Sequence, residues 1–152
     1  MKDVENVIER QIEIVAPLAK VWQALTDSKL FGQWFGAQFQ SEFVAGKSIK
    51  GRNTTKRYEM DMLFLIKEIK PQSYFSYAWH PYPMDQSFDY DKEEPTLVEF
   101  YLEQSAVGTL LKVKESGFNK ITASRRAEAF MMHTGGWEAQ LKNIEKFLVA
   151  AK

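Results

Sequence analysis

The sequence predicts an α+β domain in which a curved antiparallel sheet wraps a long C-terminal helix. Three observations lead there. Over roughly residues 122–152, Ala127, Phe130, Thr134, Trp137, Leu141, Ile144 and Leu148 recur at intervals of three and four, so one face of a long helix is apolar. Arg126, Glu138, Lys142 and Lys146 fall on the other face. Most of the chain ahead of this helix alternates apolar and polar residues with the period of a strand. Between the first such segment and the rest, Pro17 and Thr26-Asp27-Ser28 mark two short helices. A lone helix with one apolar stripe is marginal in water, so the strands must receive it. A groove between sheet and helix is then the natural place for a ligand.

Residues 7–15, VIERQIEIV, set Ile8, Ile12 and Ile14 against Glu9, Gln11 and Glu13, the pattern of a half-buried strand. Pro17 opens a helix where its missing N–H costs nothing, with Leu18, Val21, Trp22 and Leu25 inward. Asp27 and Ser28 offer a cap for a second helix through about Trp34, and Gly32 and Gly36 lie near its end. Strands are expected over residues 38–43, 48–53, 56–70, 73–80, 96–103 and 108–115, with turns at Ala45-Gly46-Lys47 and Pro71-Gln72. In the longest, Met60, Met62, Phe64 and Ile66 share one face and Leu63 and Leu65 the other, so its centre is expected to be covered on both sides. The last two form a hairpin that sets Val98, Phe100 and Leu102 against Leu111 and Val113. Residues 81–95 hold Pro81, Pro83 and Pro95 among acids and the rings of Tyr82, Phe88 and Tyr90. That is a long loop, read either as a lid or partner surface or as plain solvated chain. Gly135-Gly136 inside the final helix costs about 1 kcal/mol per glycine against alanine. A kink or a close approach of another backbone would explain the pair.

Composition narrows the class. A length of 152 residues suits a single domain over 1–152. Twenty basic residues balance twenty acidic ones, which argues against a general nucleic-acid or anionic-membrane binder. There is no cysteine, so thiolate chemistry and disulfides are excluded. The first ten residues are charged and carry no apolar signal core, and no run approaches the roughly 20 apolar residues of a membrane span. The expectation is a cytoplasmic protein. Aromatic residues make up 14% of the chain, enough both to fill a core and to line a pocket.

Several short stretches, in order along the whole chain, carry a resemblance. They are Ala16-Pro17, Val21-Trp22, Ala24-Leu25-Thr26-Asp27, Trp34-Phe35, Glu68-Ile69-Lys70-Pro71 and Tyr77-Ala78-Trp79, then Gly108-Thr109, Leu111, Ser116-Gly117-Phe118 and Gly136-Trp137 with Leu141. With these the chain resembles the activator-of-heat-shock-ATPase-like family of the START-like, birch-pollen-allergen-like helix-grip superfamily. The resemblance implies a seven-stranded antiparallel sheet gripping the C-terminal helix around a mostly apolar cavity. Many members of that superfamily bind lipids, sterols, polyketides or phenolics, and a few cyclise or dehydrate them. The chaperone-stimulating members carry a further domain that is not expected here. Fold alone does not fix function.

Within that fold the expected ligand-binding residues are Tyr77, Trp79, Phe100, Leu111, Glu115, Phe130, Thr134, Trp137 and Leu141. Ordinary core packing is the competing reading for each ring. If Thr109, Leu111 and Val113 point inward, so does Glu115, and a desolvated carboxylate there would have a raised pKa and act as acid or base. A strand-end carboxylate in water is the plainer expectation. Thr134, Tyr77 and Arg52 are candidates to orient a ligand oxygen. His80 and His133 are the only histidines and lack metal-site spacing, so structural or exposed roles are expected and no metal or cofactor is assigned. Ala45-Gly46-Lys47-Ser48 lacks the first glycine and the helix of a phosphate-binding loop and reads as a turn. The chain is therefore read as a binding protein for a hydrophobic, aromatic or lipid-like small molecule, with no catalytic residue assigned. The alternatives are a cyclase- or hydrolase-like enzyme using Glu115 or Tyr77, and a co-chaperone-like module contacting a chaperone. A homodimer is left open.

Overall fold

The computed structural model describes residues 6–54, 60–80 and 93–150. Strand β1 (Val7–Ile14) leads into helix α1 (Leu18–Thr26) through Pro17, whose extended backbone caps the helix start. Asp27 ends α1 and begins α2 (Ser28–Phe35), its carboxylate accepting from the Lys29 and Leu30 backbone N–H groups. Gly36, at φ 90°, is in the left-handed conformation that closes a helix most cheaply with glycine.

That turn folds β2 (Ala37–Phe39) back over α2. A Cβ on Gly32 would stand 2.3 Å from the Ala37 carbonyl oxygen, so only glycine lets the two backbones approach. Gly32→Ala is expected to cost about 1–3 kcal/mol by overpacking, read by urea denaturation. A change under about 0.5 kcal/mol would place the strand elsewhere.

Strands β3 (Ser48–Asn53), β4 (Met60–Lys70), β5 (Tyr74–Trp79), β6 (Thr96–Gln104) and β7 (Thr109–Ser116) follow. All seven strands pair antiparallel in one open sheet of order β1-β7-β6-β5-β4-β3-β2. A short 3-10 turn (Phe118–Lys120) then delivers the chain to α3 (Ala123–Ala150), which packs against β1, α1 and α2. This is the helix-grip arrangement. The hairpin register sets Val98 against Glu115, Phe100 against Val113 and Leu102 against Leu111, as the alternation predicts.

Some sequence expectations are corrected. The strand expected over residues 38–43 is only Ala37–Phe39, because the chain turns away after three paired residues. Leu63 is exposed, so the centre of β4 is not covered on its outer side. The register of β4 against β5 shifts between Ile66 and Glu68, and the strict alternation ends there. On α3 the buried stripe starts from Arg125 and Ala129, while Ala127 is exposed. Among the described residues no backbone approaches the glycine pair either: a Cβ on Gly135 or Gly136 would meet none of their atoms within 4 Å. Ala45-Gly46-Lys47 is a turn, with Gly46 at φ 85°. Most of the 81–95 loop, with Tyr82, Phe88 and Tyr90, lies outside the described residues. Its end does not: Glu93 is buried and meets Arg125 of α3 through two bonds of 3.1 and 2.8 Å. Among the described residues no helix is long and apolar enough to cross a membrane.

Candidate functional site

The inner face of the sheet is built from rings. Phe64, Phe75, Tyr77 and Phe100 are fully buried. Tyr77 stacks on Phe64 at 4.2 Å between centroids and meets Trp79 edge-on at 5.3 Å. Trp137 of α3 closes over them, 5.7 Å from Phe100 and 6.0 Å from Trp79. Helix α2 inserts Phe31 between these rings and those of Phe39 and Phe43. The centre of the sheet–helix interface is therefore packed core. Towards the ends of β5 and β7, packing loosens: Trp79, Phe130, His133, Thr134 and Gly136 are only partly buried.

At that end lies a buried carboxylate. Ile66, Tyr77, Val98, Glu115 and Ile8 form one row across the sheet, on β4, β5, β6, β7 and β1 in turn. Glu115 has no exposed surface. Its Oε1 accepts from Trp137 Nε1 at 2.8 Å and pairs with His133 Nδ1 at 2.7 Å. Its Oε2 accepts from Trp79 Nε1 at 2.8 Å and Thr96 Oγ1 at 2.5 Å. Indole N–H groups only donate, so this carboxyl group is built to be an ionised acceptor. Burial alone would push its pKa up, but the facing His133 and the donors from His133, Thr96 and Trp137 hold it below its ordinary value. Glu115 points inward and is desolvated, as the alternation implied, so the expectation of a carboxylate in water is overturned; the expected rise in its pKa is offset by the facing donors, which hold it down. With each oxygen already engaged twice, it is a poor acid or base and a good anchor.

Tyr77 is the opposite case. Its hydroxyl is buried and, among the described residues, has no hydrogen-bond partner. Burial and then the charge of Glu115 push its pKa well up, so it stays protonated and keeps a proton to donate. Unpaired buried hydroxyls are uncommon and cost about 1–3 kcal/mol.

The other expected residues divide. Trp79, Phe100 and Trp137 join Tyr77 and Glu115 in one contiguous group. Phe130 packs on Phe118 at 5.2 Å, beside His133. The Thr134 hydroxyl donates back to the Phe130 carbonyl, so it is engaged within its own helix. Leu111 and Leu141 are buried core residues. Arg52 points outward and pairs with Asp61 at 2.9 Å, so it does not orient anything at this site. His133 and Thr96 were not anticipated there. The available signal was spacing: His133 and Trp137 are one helical turn apart, which puts two nitrogen-bearing rings on the apolar face of α3. Among the described residues no group of three or more His, Asp or Glu stands together to hold a metal.

A recess of about 720 Å³ lies on the opposite face of the sheet, lined by Glu9, Gln11, Tyr101, Glu103, Lys112 and Lys114 among others. It shares no polar group with the carboxylate cluster.

Comparisons with known proteins agree with this fold. The family described as Activator of Hsp90 ATPase homolog 1-like protein matches over residues 15–149. Protein MLL2253 from Mesorhizobium loti is similar with a TM-score of 0.76 at 20% identity, over 96% of this chain and 98% of that one. Protein Ms6760 from Mycobacterium smegmatis gives 0.76 at 14% identity, over 99% and 95%. The Aha1 dimer from Colwellia psychrerythraea gives 0.69 at 22% identity, over 93% and 95%. At such identities these likenesses speak for the fold alone. None of the curated proteins matches.

Proposed function

The chain belongs to the family of Activator of Hsp90 ATPase homolog 1-like proteins, and from that premise we propose that it is a binding protein for an apolar, ring-containing small molecule held between the inner face of the sheet and α3. The unpartnered Tyr77 hydroxyl carries this reading. A fold gains nothing by sealing a donor without an acceptor, and an apolar guest bearing one polar atom would supply the acceptor. The guest's rings would meet the part-buried Trp79 and Phe130. Burying ~200 Å² of aromatic surface is worth about 5 kcal/mol before the cost of ordering the guest.

Tyr77→Phe separates this site from ordinary core. Removing the hydroxyl should leave the unliganded fold as stable or raise its stability by about 1 kcal/mol, because an unpaired polar group is lost. The same change should weaken capture of a guest with an acceptor atom, read by quenching of tryptophan fluorescence on titration with phenyl benzoate. If the variant loses more than about 1 kcal/mol in urea denaturation, the hydroxyl has a partner in the folded chain and the reading loses its support.

A further inference from the structure

The binding reading leaves open which group meets the polar part of the guest. Resting on that reading, we infer that His133 is the hydrogen-bond acceptor of the site, accepting at Nε2 a hydrogen bond from the hydroxyl of an aromatic guest, and that Glu115 is the positioning residue that holds the imidazole for it.

The argument starts from the carboxylate. Trp79, Trp137 and Thr96 each place a donor on Glu115, which leaves His133 facing an oxygen already used as an acceptor. For the 2.7 Å contact to be attractive the hydrogen must lie on Nδ1 of His133. The tautomer is thereby assigned by the network rather than left free. In the neutral ring Nε2 then carries the lone pair and is the remaining polar atom, whereas an imidazolium would carry a hydrogen there as well. The pair is also graded in access. The Glu115 side chain is 0% exposed, whereas that of His133 is 15% exposed. The anchor is sealed, and the ring it orients keeps part of its surface exposed.

The neighbourhood selects the guest. Trp79 stands edge-on to the imidazole at 5.3 Å and Phe118 at 6.2 Å, so a molecule reaching Nε2 must lay an apolar, flat body against rings. The donor we assign to such a body is an aromatic hydroxyl. An anionic guest is disfavoured, because the buried charge of Glu115 lies directly behind the imidazole.

The test uses para-phenylphenol and its methyl ether, which keeps both rings and the oxygen but has no O–H to give. Calorimetric titration of the intact chain should show the phenol binding about three- to tenfold more tightly, the range one net hydrogen bond provides. Heteronuclear NMR of the imidazole nitrogens, with His133 assigned by His133→Gln, should show the hydrogen on Nδ1 in the free protein. The His133 Nε2 resonance should then move on adding the phenol and stay in place with the ether. A purely structural histidine would not distinguish the two probes. In Glu115→Gln, loss of the phenol preference in a variant that still binds both probes would support positioning by the carboxylate, and an unchanged preference would overturn that role. Equal affinities, or a hydrogen on Nε2 in the free protein, would overturn the inference while leaving the binding reading standing. Failure of both probes to bind would overturn the two together.

Discussion

Replacing Glu115 with alanine is expected to lower the stability of the chain by about 3–5 kcal/mol, the usual cost of removing one partner from a buried ionic cluster. The reason is what remains. The indole N–H groups of Trp79 and Trp137 and the Thr96 hydroxyl would be left around a buried cavity without their shared acceptor. Each is worth about 1–3 kcal/mol if unsatisfied, and the three do not add because they share one cavity. Urea denaturation followed by tryptophan fluorescence measures this directly. A loss below about 1 kcal/mol would mean that the cluster relaxes onto other partners. The same residue sets an acid limit. Its folded pKa lies below the ordinary 4.5, so its contribution is fully present above that value and fades as pH falls through the lower folded one. Glu93 behaves alike: burial pushes its pKa up, but Arg125 and the Thr122 backbone outweigh that and hold it low. Stability should therefore fall steeply on the acid side of 4.5, and Glu115→Gln should flatten that slope.

Phe31→Ala is expected to cost about 3–5 kcal/mol, the range for emptying a buried aromatic position. Phe31 stands 4.7 Å from Trp34 and 4.9 Å from Phe35 on its own helix. It also reaches Phe39 at 5.8 Å, Phe64 at 5.9 Å and Tyr77 at 6.2 Å, so it ties α2 to three strands. The cavity left behind would be walled by rings in several elements and could not collapse by a shift of one of them. Urea denaturation gives the magnitude, and loss of near-ultraviolet circular dichroism would report that the surrounding rings had lost their fixed packing. A well-folded variant within about 1 kcal/mol of the parent would show that α2 is not seated on the sheet as described.

The periodic parts of the fold were legible in the residues. Val7–Ile14 and Ser48–Asn53 show clean alternation, Asp27 is a helix cap by chemistry, and the last hairpin fixes its own register. These features are local, so local reading finds them. The α3 stripe was legible only in part. A helix of period 3.6 drifts against a regular spacing of three and four, and over 28 residues the inward position passes from Leu148 and Ile144 to Ala129 and Arg125 rather than Ala127. The end of β2 and the shift in β4 depend on partner strands and leave no mark in their own sequence.

The site was half legible for the same reason. Alternation through Thr109, Leu111 and Val113 placed Glu115 on the inner face. Nothing nearby says that a strand-end carboxylate is sealed. Its partners come from 18, 19, 22 and 36 positions away. Only the docking of α3 on the sheet brings His133 and Trp137 over it. Tyr77 could be placed in the apolar lining, but an orphaned hydroxyl is a property of its surroundings and not of its sequence.

The most direct test of the binding claim is native mass spectrometry of the chain purified from its own host. The account predicts a population heavier than the bare polypeptide by one small molecule, released on denaturation, with that heavier population reduced in Tyr77→Phe. A bare mass throughout, with no uptake of an aromatic guest added in excess, would contradict it.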